Sequence, residues 1–417
     1  MPTDFRRLWI AYATSEAGTW IGHGALPLIA VLLLDSPAYQ ISLLAALGAL
    51  AGAALAIPAG PWVEFRRKRP VMIAADLARF AALASVPAAV ALDALTYAQL
   101  CAVAVIGTAG AIVFAAASGA HLRDVVPAEK LVAANARFET TMWTAVTAGP
   151  PVGGLLVGWI GATASIAVDA VSYLLSALGV TRLRTPEPAP PRRRARDRGV
   201  AEGWRRIGAD PLLHRLLWNS LLFGGGIMMT SPLLAVFLLR DLGLGPFEFG
   251  LAIGVPGLGG ILGSLLARRL SGRFGERRTL LALGVLRTLW TLVLPLAPKG
   301  TAGLVVVIAA ETGLLISAGV FNPVFAAVRL KAIAREHTAR VLGAWSVSTK
   351  LAQPLFMAAG GVLATLLGTR AALAVAGAIV LATVALLPWR QRSPDATSRT
   401  TASAYASSSG PSPSDQR

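Results

Sequence analysis

The sequence is divided by short polar breaks into about twelve mainly apolar stretches, from Leu8–Leu34 to Ala371–Leu387. A helix needs about 20 such residues to cross a hydrocarbon core about 30 Å thick. Because stretches of that length recur almost end to end, little chain remains for a soluble domain. Composition agrees: 55% of the 417 residues are hydrophobic, 14% are charged, and mean hydropathy is +0.64. A soluble fold would leave much of that apolar surface in water. In lipid, each spanning segment must pair its own backbone N–H and C=O groups. The expected fold is therefore an all-α integral membrane protein with twelve transmembrane helices.

Between the sixth and seventh stretches lies TRLRTPEPAPPRRRARDRGVAEGWRRIGAD, whose prolines and arginines do not suit a lipid-facing span. It separates an amino-terminal half, residues 1–181, from a carboxy-terminal half, residues 212–389, as a basic linker over 182–211. A surface helix around Trp204 fits the linker's pattern. The tail over 390–417 is rich in Ser, Thr, Asp and Pro and is expected to be disordered. At the start, the apolar run after Arg6 and Arg7 continues to Leu34 without a small-x-small cleavage site, so a retained first span is expected.

The net charge of +17 and pI near 11.3 raise the question of nucleic acid. The basic residues, however, fall in clusters between apolar stretches rather than on one aromatic-studded face, which argues against a nucleic-acid partner. Even-numbered connections carry Arg66, Arg67, Lys68 and Arg69; Arg123, Lys130 and Arg137; the linker arginines; Arg268, Arg269, Arg273, Arg277 and Arg278; and Arg329, Lys331, Arg335 and Arg340. Odd-numbered connections hold little beyond Arg240, Lys299 and Arg370. Cytoplasmic loops retain Lys and Arg, so both termini are expected in the cytoplasm and the protein in the cell membrane.

Other chemistries lack their residues. Cys101 is the only cysteine, and His23, His121, His214 and His337 are scattered without metal or nucleophile spacing. No GxxxxGK[ST] pattern offers a phosphate cradle. Neither a cofactor, a metal nor an enzyme activity is expected, and an ion gradient is left as the energy source. A membrane enzyme or receptor is the alternative from another class.

The halves repeat. Val126-Pro127-Ala128-Glu129 overlays Ile333-Ala334-Arg335-Glu336, and at the same offset Gly153-Gly154 falls on Gly360-Gly361. Two six-span halves repeated in parallel give a pseudo-two-fold axis along the membrane normal and a cavity between them.

At these residues the sequence resembles the major facilitator superfamily, and more narrowly its drug–proton antiporter branch with macrolide-efflux and enterobactin-exporter relatives. The run GPWVEFRRKRPVMIAADLAR resembles the family's cytoplasmic gating motif, with Gly60, the acid Glu64 and the bases Arg67, Lys68 and Arg69. Phe65 stands where the family often has arginine. The resemblance implies that these charges find partners across the domain interface in one conformation and lose them in the other. TAGPPVGGLLVGWIG resembles the antiporter motif through Gly149, Pro150, Gly153 and Gly154; tight helix packing is an equally good reading of the glycines alone. The segments ALPLIAVLLLDSP, DAVSYLLSAL and FNPVFAAVR add to the likeness. It implies the major facilitator fold and favours efflux of amphipathic drugs or secondary metabolites over uptake. A siderophore or metabolite transporter with another direction or coupling ion is the alternative.

Ionisable groups inside a membrane are costly and mark function until a partner explains them. Glu16 and Glu311 fall about nine and ten residues into the first and tenth spans. A carboxyl at that depth can take a proton from one side and release it to the other; the competing reading is a bond to a neighbouring helix. His23, seven residues beyond Glu16, is a relay or lining candidate on nearly the same helix face. Lys350 is expected to pair with a carboxylate, or else to bind an anionic substrate group. Asp76 and Arg79, three apart, are expected to pair. Asp169 and Glu139 are placed close enough to an interface to stay partly hydrated. Trp20, Thr108, Phe114, Asn219, Met228, Met229 and Asn322 are cavity candidates, suited to an amphipathic, aromatic or cationic molecule. The expected partners are the lipid bilayer, a small amphipathic substrate and protons, for a monomer.

Overall fold

The computed structural model describes residues 3–56, 58–127, 130–185, 187, 199–334 and 337–389. Ala128, Glu129, Arg335 and Glu336 of the repeat, linker residues 188–198 and the tail 390–417 lie outside the described residues. The amino-terminal half contains α1 (Thr3–Ile21), α2 (Ala25–Leu32), α3 (Ala38–Ala56), α4 (Ala59–Glu64), α5 (Lys68–Ala91), α6 (Tyr97–Val125), α7 (Leu131–Ile160) and α8 (Ala162–Thr181). After α9 (Gly199–Ala209) follow α10 (Pro211–Val236), α11 (Pro246–Gly254), α12 (Gly257–Phe274), α13 (Glu276–Leu289), α14 (Thr301–Ala332), α15 (Thr338–Leu367) and α16 (Thr369–Ala382).

These helices group into twelve stretches, with α1–α2, α3–α4 and α11–α12 each sharing one and α9 standing apart. Ten stretches are by themselves long and apolar enough to cross a membrane. The first and fifth fall short. The first carries Asp4, Arg6, Arg7 and Glu16 and breaks at Gly22–Gly24, while α7 is diluted by glycine, proline and threonine. Both deviations have a local cause, because α1 packs against α7 and α7 lies on the seam between the halves.

The helix α8 shows which solvent the fold is built for. Its buried face carries Ser165, Asp169, Ser172, Tyr173 and Ser176, whereas Val168, Val171, Leu175 and Leu178 are 42–54% exposed. Apolar residues outside and polar groups inside reverse the pattern of a water-soluble helix. This is a multi-pass membrane protein.

The repeat is visible in the backbone. Gly161, between α7 and α8, has φ +86°, and Gly368, between α15 and α16, has φ +87°. Both turns need the left-handed conformation that glycine adopts without a Cβ penalty, and the two lie 207 residues apart, the offset of Gly154 and Gly361.

The halves meet mainly where α3 packs on α15 and α7 on α11. These contacts lie at the end away from the described chain ends Thr3 and Trp389, hereafter the distal end; the other is the terminal end. Two apolar clusters cross the seam distally: Leu28 and Val157 join residues of the carboxy-terminal half, and Val236 joins those of the amino-terminal half. The two clusters at the terminal end each draw on one half alone, one around Phe5, Met72 and Leu183 and the other around Leu216, Phe321 and Trp345. The protein is closed distally and parted at its terminal end.

Candidate functional site

The motif glycines of α7 make the distal closure. A Cβ on Gly153 would stand 2.0 Å from Ile21 O, so this position lets α7 touch the end of α1 within its own half. A Cβ on Gly154 would stand 2.4 Å from Pro246 O of α11, across the seam. The repeat copies this division of labour. Gly360 faces Met229 of α10 within the carboxy-terminal half, and Gly361 faces Ser42 and Tyr39 of α3 in the other half. A Cβ on Gly149 would meet the Trp20 backbone at 2.8 Å, and Pro150 O lies against Gly250. An ion pair also crosses the distal end, from Arg240 Nη2 to Asp35 Oδ1 at 2.7 Å.

Toward the terminal end the seam between α7 and α12 opens into a cavity of about 550 Å³, lined by Glu139, Trp143, Thr144, Thr147, Leu258 and Ser264 among others. Charged groups lie on other helices around the same separation. Glu16 accepts a hydrogen bond from Trp20 Nε1 at 3.2 Å and shares a face of α1 with Tyr12, turned from the Ile10, Thr14 and Ala17 side that borders an apolar groove with α8. Glu311, half-buried on α14, makes no hydrogen bond or ion pair with any described residue. It is eleven residues, three helical turns, from the exposed Asn322 and so shares its face. Lys350 on α15 is likewise eleven residues from Gly361, which places it on the face that meets α3.

Several residues sit elsewhere than the sequence suggests. Lys350 is exposed and has no ion pair among the described residues, so its expected carboxylate partner is absent; it faces the parted seam, where its charge stays open. Asn219 is 1% exposed inside the carboxy-terminal half, where its Nδ2 donates to Thr383 O at 2.9 Å. Phe114 and Met229 are 4% and 1% exposed and pack within their own halves, not on the cavity. Their helices do face inward, but one helix has several inward-pointing rows, and sequence spacing does not tell core from cavity. Thr108 lies beside Gly48 and Gly52 of α3, and Met228 is half-buried. His23 follows the end of α1 at Ile21, so the face it shares with Glu16 in a continuous helix is interrupted; its exposed ring lies 4.8 Å from that of Trp20, tilted by 30°. Asp169, expected to be partly hydrated, is 6% exposed. Glu139 is exposed.

The gating motif is bonded within its own half and to the start of the linker. Glu64 on α4, which begins beside Gly60, forms no ion pair with a described residue, and Lys68 Nζ donates to the Glu64 carbonyl at 3.0 Å. Glu187 accepts from the backbone N–H groups of Lys68 and Arg69 at 2.8 and 2.7 Å, capping the start of α5. The guanidinium of Arg69 donates to Leu183 O. The partners expected across the interface are out of reach because the terminal end is parted.

Sequence reading missed Arg287, the counterpart of Arg79 in the other half. Arg79 and Arg287 each stand eleven residues after the first residue of their helix, α5 and α13, and are 4% and 3% exposed. Arg79 pairs with Asp76 at 3.7 Å. Arg287 has no acidic partner among the described residues; it lies between the rings of Phe223 and Phe321, 3.6 Å from each centre, and donates to Asn219 Oδ1 at 2.8 Å. An arginine near the middle of an apolar stretch, at matching places in the two repeats, was the signal available.

A family model described as the Major Facilitator Superfamily matches residues 8–314 and 216–411. The multidrug efflux pump Tap of Mycolicibacterium fortuitum is 26% identical over 376 residues, covering 87% of this chain and 89% of the relative. Among solved structures, a bacterial homologue of the iron transporter ferroportin in an inward-facing state has a TM-score of 0.73 at 14% identity, covering 92% of this chain and 100% of that one. The nucleoside transporter NupG has a TM-score of 0.71 at 11% identity, covering 93% and 100%.

Proposed function

The chain belongs to the major facilitator superfamily, and on that premise we propose that it exports amphipathic, preferentially cationic molecules across the cell membrane in exchange for protons. The structure here is its cytoplasm-open state, with both termini in the cytoplasm, as the basic even-numbered connections suggest. Rocking of the two halves about the central site alternates access. Efflux is favoured by the 26% identity to a multidrug efflux pump along 87% of the chain.

The observation that carries the coupling is Glu311, an acid deep in α14 without a hydrogen-bonding or ionic partner among the described residues. An acid held in this way binds either a proton or a cationic substrate, and competition between the two is antiport. Glu16, hydrogen-bonded to Trp20 beside it, is the matching group in the other half. With Glu139 at the open seam, the acids outnumber Lys350, which suits a cation.

The test is transport of fluorescent amphipathic cations into proteoliposomes under an imposed pH gradient, with Glu16→Gln and Glu311→Gln compared with the unsubstituted protein. Gradient-driven movement should be lost in one or both variants. Movement that ignores the gradient, or survives both substitutions, would overturn the assignment.

A further inference from the structure

Two acids and one base are buried where α1, α5 and α8 meet. Asp76 is 0% exposed, Arg79 4% and Asp169 6%. Arg79 engages both of its terminal nitrogens, while its Nε has no hydrogen-bond partner among the described residues. Its Nη1 donates to Ser15 Oγ at 3.4 Å, and its Nη2 donates to Thr19 Oγ1 at 3.2 Å and to the Tyr173 hydroxyl at 2.5 Å. Its guanidinium carbon lies 3.7 Å from the centre of the Tyr173 ring. The acids are poorly served by comparison. Asp76 has Arg79 Nη1 at 3.7 Å, beyond hydrogen-bond reach, and the Ser176 hydroxyl of α8 beside it; neither of its oxygens has a well-formed hydrogen bond to a described residue. Asp169 Oδ1 lies 3.4 Å from Ser172 Oγ, and Asp169 forms no ion pair with a described residue.

Counting charge, two carboxylates against one guanidinium leave one negative charge unmatched at membrane depth, where an unmatched ion is strongly disfavoured. A metal cation is a poor remedy. It would meet the fixed charge of Arg79, and the site is packed: a Cβ would stand 2.5 Å from Asp169 Oδ2 if placed on Gly22, 1.9 Å from Ser172 Oγ on Gly18, and 2.6 Å from Arg79 Cγ on Gly110. A proton needs no such room.

We propose that Asp76, Arg79 and Asp169 form a proton-binding site inside the amino-terminal half, separate from Glu16 and Glu311 and occupied by one proton in this conformation. Binding adds one H⁺ from water to a carboxylate oxygen and takes the site from one negative charge to none; release reverses both changes. The surrounding elements offer few rivals for the proton. α1 contributes Ser15 and Thr19, with Glu16 the adjacent acid; α5 contributes Asp76 and Arg79; α8 contributes Asp169 and Tyr173; and α6 presents Gly110. His23 turns instead toward Pro150 and Phe249. The site also touches a joint in the fold, because Gly22, against Asp169, is where α1 ends and the chain breaks before α2. A movement of that break during rocking changes what Asp169 contacts.

Infrared difference spectroscopy across pH, on the full chain in lipid nanodiscs, tests the site without substrate. In a Glu16→Gln/Glu311→Gln background, a protonated-carboxyl band that shifts in heavy water should persist at neutral pH. Adding either Asp76→Asn or Asp169→Asn should abolish it, since each leaves one acid for one base. Both variants should keep the thermal midpoint of their background, because an amide has the shape of a protonated carboxyl. Absence of the band in the background, or its survival in both variants, overturns the proposal. Should an asparagine variant not fold, Asp169→Glu and Tyr173→Phe serve instead: a band and titration midpoint unmoved in both would be equally fatal. Failure of gradient-driven efflux would leave the band in place, so the two readings fail separately.

Discussion

Gly154 and Gly361 should set the balance between the two access states, and Gly154→Ala is the sharper perturbation. Its methyl would lie 2.4 Å from Pro246 O and 3.1 Å from Phe247 Cα, where ordinary contact is 3.4–4 Å, so the α11 backbone must retreat by about 1 Å. In Gly361→Ala the methyl would lie 2.4 Å from Ser42 Cβ and 3.1 Å from Tyr39 Cα. Overfilling a packed contact costs about 1–3 kcal/mol. That cost falls on the distally closed state alone, because once the halves part there the methyl meets nothing from the other half. The gain in helix propensity, about 1 kcal/mol, is common to both states and cancels. Each substitution should therefore lower the closed-to-open ratio at the distal end by about 5- to 150-fold, and the two effects should add because the contacts are separate. Double electron–electron resonance between labels at Asp93→Cys and Lys299→Cys, in a Cys101→Ser background, reads the distal separation directly. Distances should lengthen in Gly154→Ala and Gly361→Ala but not in Gly158→Ala, where a Cβ has nothing within 4 Å. A folded Gly154→Ala protein with an unchanged distance distribution would refute the reasoning.

Asp35→Asn should loosen the same distal end by no more than about 1 kcal/mol, since Asp35 is 97% exposed in its pair with Arg240; the effect should vanish at high salt in the same distance measurement. Burial would raise the pKa of Asp4, but the Thr185 hydroxyl, the Arg184 and Thr185 amides and Arg7 outweigh it and hold the carboxyl at about 2, against 3.8 ordinarily. The folded value lies below the unfolded one, so this contribution is complete above 3.8 and lost as pH falls toward 2. Asp4→Asn should then cost about 2 kcal/mol at neutral pH, with the gap in unfolding midpoint closing in acid; a gap independent of pH would contradict this. Arg287→Lys keeps the charge but cannot stack a flat group between Phe223 and Phe321, and should lower stability by about 2 kcal/mol. An unchanged thermal midpoint would show that the sandwich contributes nothing.

The terminal motif shows where reading in one dimension stops. Gly60, Glu64, Arg67, Lys68 and Arg69 are legible as a charged connection, but their bonds depend on which state the halves occupy, and here Glu187, from beyond α8, caps the start of α5 instead. Lys350 was open to a similar error. A lysine deep in an apolar stretch demands a partner if it faces protein or lipid, yet it faces a parted seam and has none among the described residues. Asn219 makes the converse case: its polarity suggested a cavity, and the buried Arg287 is what it serves.

Some features needed no coordinates. Segment length and apolarity dictate a bundle of membrane helices, because lipid offers the backbone no other partner. The 207-residue echo of Gly153-Gly154 in Gly360-Gly361 dictates two like halves. Tertiary structure decided the rest: that Gly153 serves contact within a half while Gly154 serves contact between halves, that α1 breaks beside Asp169, and that Arg79 lies against one ring, Tyr173, with Asp76 beside it, where Arg287 lies between two rings. Local patterns follow from the chain's own periodicity, but which rows of a helix meet a neighbour, the other half or an open cavity depends on how distant segments pack, and that information is shared among helices rather than carried by any one of them.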